Sequence, residues 1–98
     1  MNKFKLKSKV WVYPGMSAWR FVNLPQKDSA LIKKLFNGLT RGFGSLPVMV
    51  TVGQTSWKTS IFPDKKAGAY LLPLKSEVRK KEKILDNQML SFKLEILI

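Results

Sequence analysis

The 98-residue chain contains no cysteine and no histidine. The first absence removes disulfides, thiolate nucleophiles and sulfur ligands; the second removes the commonest metal ligand and the commonest general base near neutral pH. Zinc sites and the usual catalytic triads are therefore excluded. Acids are also scarce, 6 Asp and Glu against 18 Lys and Arg. They lie scattered, mostly beside lysines, and present no carboxylate pair suited to acid and base work. No stretch approaches the ~20 apolar residues of a membrane span. The opening MNKFKLKSKVWVYPG interrupts its apolar residues with lysines, so it lacks the core of a secretory signal. A cytoplasmic chain that stays off the membrane and needs no cofactor is the expectation.

What is present is positive charge and ordinary core-forming material. The formal net charge is +12, and 45% of the residues are hydrophobic. Such a balance creates a positive field that recruits polyanions and weakens with salt. Nucleic acid is the most abundant partner of that kind, although surplus lysine also serves solubility. The length predicts one domain spanning residues 1–98, with a monomer favoured.

Period-two alternation in KFKLKSKVWV sets Phe4, Leu6, Val10 and Val12 on one face, with Ser8 the one break. Lys3, Lys5, Lys7 and Lys9 take the other, as in a half-buried strand. YPGMS is a turn, and AWRFVNLP a second strand closed by Pro25. In QKDSALIKKLFNG the residues Leu31, Ile32, Leu35 and Phe36 recur at helical spacing, with Asp28 or a neighbour as cap and Gly38 as a left-handed stop. LTRGFGS connects to the buried strand LPVMVTVG, whose hairpin partner across the short GQT turn is SWKTSIFP, ended by Pro63. A loop, DKKAG, precedes the strand AYLLPL. SEVRKKEK is a short helix that Ser76 can cap, and QMLSFKLEILI is a last alternating strand.

The order is β-β-α-β followed by β-β-α-β, two copies of one supersecondary unit. In each copy a Leu-Pro step, at Pro25 and Pro73, passes from strand to helix. Proline suits both places because it has no ladder donor and its fixed φ directs the chain out of the strand.

The segments WRFVNLP, RGFGSLPVMVTVG and SWKTSIFPDKKAGAYLLPLKSEVRK, in this order, resemble the small bacterial and archaeal family DUF1905. The pieces that carry the resemblance are Trp19, Phe21, Pro25, Arg41, Gly42, Gly44, Val48, Trp57, Ser60, Phe62, Pro63, Tyr70, Leu72, Pro73, Lys75 and Arg79. The resemblance implies a mainly β, double-split β-barrel related to the AbrB and MazE type of DNA-binding regulators, here with both ββαβ halves and their two short helices in one chain. It also implies that relatives occur joined to a domain of the bacteriocin-protection type. Asn87 and Gln88 stand where the family has Gly-Asp. Asn still suits a left-handed turn, while Gln88 forgoes a carboxylate cap or partner.

Four groups of residues are candidate anion contacts. Lys75, Arg79, Lys80, Lys81 and Lys83 surround the second helix, where Arg79 and Lys83, four apart, are expected to share a face and Ser76 with the free amides of the helix start adds donors. The same cations also suit a solvated face. Lys3, Lys5, Lys7 and Lys9, continued by Trp11 and Tyr13, pair cations with stackable rings in the manner of a single-strand groove, although lysines on an outer strand equally oppose edge aggregation. Arg41 sits beside the glycines of a nest-like loop, which also suit a plain bend. Lys58 accompanies Ser60 on one strand face, but no oxyanion motif or second base goes with them, so a non-enzymatic protein is expected. The leading expectation is binding of nucleic acid or another polyanion through phosphate contacts. Its rivals are a small anionic ligand held in a barrel mouth near Trp57, Phe62 and Tyr70 by Lys58 or Arg79, and an accessory protein-interaction domain.

Overall fold

The computed structural model describes residues 2–16 and 18–98. Its strands are β1 (Lys3–Val12), β2 (Arg20–Asn23), β3 (Leu46–Val52), β4 (Thr55–Asp64), β5 (Ala69–Pro73) and β6 (Met89–Ile96). Helix α1 (Gln26–Phe36) follows β2, a 3-10 turn at Gly42–Gly44 precedes β3, and helix α2 (Ser76–Lys81) follows β5. All strand pairs are antiparallel and close a barrel in the order β1-β2-β5-β4-β3-β6.

Exchanging β1 with β4, β2 with β5 and β3 with β6 returns the same ring read backwards. The two ββαβ units therefore interlock rather than sit side by side. Each long strand belongs to two ladders. Residues Lys3–Lys9 of β1 pair with β6, and Val10–Val12 pair with β2. Likewise Thr55–Ile61 of β4 pair with β3, and only Phe62–Asp64 pair with β5.

Alternation explains which side chains fill the interior. Leu6 and Val10 of β1, Val22 of β2, Leu46, Val48 and Val50 of β3, Trp57 and Ile61 of β4, Leu72 of β5 and Phe92 and Leu94 of β6 are all buried in one cluster. Each fully buried Val, Leu or Ile contributes roughly 1.5–3 kcal/mol of transfer free energy. The barrel interior is thus occupied by the protein's own side chains.

Several local expectations change. Pro63 lies inside β4 rather than at its end, because ladder alternation turns its position away from β5, where an amide would have had no partner. Neither Asp28 nor Ser76 caps a helix. Pro25 and Lys75 occupy the cap positions without side-chain bonds, so Asp28 lies in the first turn of α1 and Ser76 is the first residue of α2. In α1 the buried positions are Ser29 and Ile32, whereas Leu31 and Leu35 are exposed. Ser29 Oγ donates to the Leu24 carbonyl and accepts from the Tyr70 amide, which fixes that face inward. Asn87 does take the left-handed turn conformation at φ 68°. Gln88 replaces the acid without losing an acceptor, since its Oε1 receives the Leu85 amide at 2.8 Å.

Candidate functional site

The outer surface of β1, β6, β3 and β4 gathers cations contributed by sequence-distant strands. Opposite-facing positions follow directly from the core pattern: Leu6, Leu94, Val50 and Trp57 point in, so Lys3, Lys5, Lys7, Lys9, Lys93 and Lys58 point out. Register places Lys5 directly opposite Lys93, and continues that row through Thr51 to Ser56. The adjacent row runs Lys3, Glu95, Met49, Lys58. Glu95 is the one acid in these rows, and Thr51 and Ser56 join hydroxyls at 2.7 Å. Two open hollows, of about 440 and 550 Å³, border the Lys5–Lys93 pair, one toward Lys3 and Met49 and the other toward Lys7 and Gly53.

A like-charge pair directly across a ladder is destabilising. Among the described residues the one side-chain ion pair is Arg20 with Asp86, Nε to Oδ1 at 2.7 Å, so no lysine of this face is in ion-pair contact with an acid, Glu95 opposite Lys3 included. The strand rise of about 3.4 Å spaces alternate lysines of β1 by roughly 6.8 Å, comparable to the separation of neighbouring phosphates on an extended strand.

Past Lys9, strand β1 leaves β6 for β2, and the same outward parity carries rings instead of cations. Trp11 lies opposite Phe21 with ring centroids 5.3 Å apart, and its indole N–H donates to Asn23 Oδ1 at 2.8 Å. Tyr13 and Trp19 complete the cluster at 6.1 Å from each other. Trp11 is thus covered by the neighbouring strand, while Tyr13 and Trp19 keep 40% and 51% of their surface exposed.

The remaining predicted contacts are elsewhere. Lys75, Lys80, Lys81 and Lys83 are exposed around α2, but Arg79 and Lys83 do not share a helix face. The helix ends at Lys81, and Lys83 has φ 51° beyond it. Arg79 is a tether: its Nε donates to the Leu74 carbonyl at 2.9 Å and its Nη2 to that of Ala18 at 3.0 Å. Arg41 is exposed beside the 3-10 turn and borders neither of the two hollows. The amides of Arg41, Gly44 and Ser45 are bonded within that loop, so it offers little of a nest. Lys93 and Arg20 escaped sequence reasoning. The outward parity of Lys93 was readable, but its neighbour Lys5 lies at the other end of the chain.

A separate cleft of about 690 Å³ opens on the outside of β2, β5 and β4 beside α2, lined by Trp19, Phe21, Phe62, Leu71, Pro73 and Arg79 among others. Trp57 and Tyr70, at 7% and 4% exposure, are core residues, and Tyr70 does not line the cleft. The apolar recess thus lies on the barrel's flank and not in its filled mouth.

The sequence matches the family described as a domain of unknown function, DUF1905, over residues 7–94. The chain belongs to that family. The DUF1905 match takes in every barrel strand, beginning within β1 and ending within β6. No curated protein matches the sequence. No helix among the described residues is long and apolar enough to cross a membrane.

Proposed function

We propose that this DUF1905 domain binds a polyanion without transforming it, and that the polyanion is single-stranded nucleic acid held mainly by its phosphates. The observation that carries this reading is the Lys5–Lys93 cross-strand pair, set in a face where Lys3, Lys7, Lys9 and Lys58 meet the lone acid Glu95. A like-charge pair costs folding free energy, and an anion lying across both ammonium groups offsets that cost. Single strands are favoured over duplex because the comb along β1 runs into the exposed rings of Tyr13 and Trp19, the combination that tracks a backbone and stacks bases.

The test is fluorescence anisotropy of a labelled oligothymidylate at low salt. Replacing Lys5 and Lys93 with Gln is expected to weaken binding by an order of magnitude or more, whereas Lys80→Gln with Lys81→Gln, which removes equal charge from α2, changes it little. Equal losses in the two variants would reduce the interaction to net charge, and absence of any complex at low salt would end the proposal.

A further inference from the structure

The cleft beside α2 has a different chemistry from the lysine face. Its floor is formed by outward side chains of three paired strands, Phe21 opposite Pro73 and Leu71 opposite Phe62. One wall is the edge of β4 at Trp57, Lys58 and Thr59; the other is Leu74–Ser76 with Arg79 from α2. The cleft exists because β5 pairs only with Phe62–Asp64 of β4, leaving that flank of the longer strand without a neighbour before Phe62.

That open flank has a consequence for hydrogen bonding. The Gly53-Gln54 turn is a two-residue loop, so Val52 and Thr55 form the closing hydrogen-bonded pair, and alternation assigns Trp57, Thr59 and Ile61 to β3. The backbone N–H and C=O of Ser56, Lys58 and Ser60 consequently turn toward the cleft side. Ladder geometry therefore supplies neutral donors along one wall.

Charge on the lining is of one sign. Arg20, Lys58, Lys75 and Arg79 line the cleft, and no acid does. Arg79 is held in place by its two carbonyl bonds, so its charge is positioned in advance. Arg20 spends Nε and Nη2 on Asp86, and its Nη1 is buried with no hydrogen-bond partner. An unpartnered buried guanidinium nitrogen is costly, and it belongs to a side chain of this recess.

We infer that the cleft is a binding site for a small amphipathic anion, an aromatic or alkyl body bearing one carboxylate, sulfonate or phosphate. The body covers Phe21, Phe62, Leu71 and Pro73, and the anionic head meets the cations of the α2 wall, Lys75 and Arg79. The volume is that of a site for a drug-sized molecule, and an apolar floor with a few convergent polar groups is the pattern such sites share. The site shares Lys58 and Trp19 with the polyanion face, but Lys5 and Lys93 are not part of it, and Phe62, Lys75 and Arg79 belong to it alone.

Tryptophan fluorescence reports on the cleft directly, since Trp19 and Trp57 line it. The probes are 4-phenylbutyrate and its neutral amide, titrated into the intact chain, with decanoate as an alkyl counterpart. A saturable change with phenylbutyrate, and binding at least about tenfold weaker for the amide, is expected from loss of a charge-assisted contact. Lys75→Gln is expected to weaken the acid about tenfold and leave the amide unchanged, and Phe62→Ala to weaken both. Both substitutions are at exposed residues, and a thermal melt confirms that the variants fold. Oligonucleotide binding is expected to survive these changes, and phenylbutyrate binding to survive Lys5→Gln with Lys93→Gln, so failure of one site is distinguishable from failure of the other. No saturable response to either acid, equal affinity for acid and amide, or indifference to both substitutions would overturn the assignment. Preference for decanoate over phenylbutyrate would identify an alkyl body, and the reverse an aromatic one.

Discussion

If the lysine face works by displacing counterions from phosphates, its signature is the steepness of the salt response. On a single strand the slope of log K against log salt is about −0.7 per neutralised phosphate, so six lysines acting together give about −4.2 and lose roughly 300-fold between ~50 and ~200 mM salt. Those six are Lys3, Lys5, Lys7, Lys9, Lys58 and Lys93, assembled by the β1–β6–β3–β4 register. Replacing Lys5 and Lys93 by Gln leaves four, a slope near −2.8, and a loss of roughly 50-fold over the same interval. The assay is anisotropy of a labelled oligothymidylate at several salt concentrations, with both proteins measured on the same oligonucleotide. The variant should fold at least as well as the parent, because it removes a like-charged cross-strand pair; a gain of a few tenths of a kcal/mol is the scale for exposed groups. Parallel slopes in parent and variant would refute the reasoning, as would a parental slope shallower than about −1, the value expected for little more than a single contact.

Two further outcomes concern the scaffold that holds this face. Burial pushes the Tyr70 phenol above its usual pKa of 10.0, so the folded state holds that proton more tightly than the unfolded chain. The associated stability is complete below pH ~10 and is lost as pH climbs through the raised value. Denaturant melts of Tyr70→Phe and the parent should therefore keep a constant difference below that point and shift in favour of Tyr70→Phe above it, and a constant difference throughout would exclude the effect. Gly53 has φ 57° and a Cβ there would run into the Glu82 carboxylate, which also accepts the Thr55 hydroxyl at 2.6 Å. Gly53→Ala should cost about 1–2 kcal/mol in a urea melt. Adding Glu82→Ala should recover part of that cost, and strict additivity of the two changes would contradict the predicted clash.

The strands were readable because their inner and outer residues differ sharply in kind: Phe4, Leu6 and Val10 against Lys3, Lys5, Lys7 and Lys9 leave little choice of face. The repeat was readable from two Leu-Pro steps at matching places. What period two cannot convey is which strand lies next to which, and the candidate site depends on that. Lys93 became a neighbour of Lys5 only when β6 closed against β1. Trp11 and Tyr13 have the same parity as the lysines, yet they leave the lysine rows because β1 changes partner after Lys9. The helices misled differently. Helical spacing in α1 allowed more than one inward arc, and the hydrogen bonds of Ser29 selected one that leaves Leu31 and Leu35 outside. In α2 the i, i+4 rule tied Arg79 to Lys83, but the helix stops at Lys81 before the rule can apply. The cleft had no local signature, since its walls come from segments that the barrel brings together.

The ring that reads the same after exchanging its halves has a bearing on ancestry and engineering. Severing the chain in the Gly53-Gln54 turn would yield two fragments, each carrying edges whose natural mates reside on the other: β3 with both β4 and β6, β1 with β6, β2 with β5. Neither piece can seal a cylinder unaided, but mixing them should reconstitute it. A half-length peptide that twinned with a copy of itself would reach the same shape, and both the charged surface and the oily recess draw on the two moieties, Lys5 with Lys93 and Phe21 with Phe62.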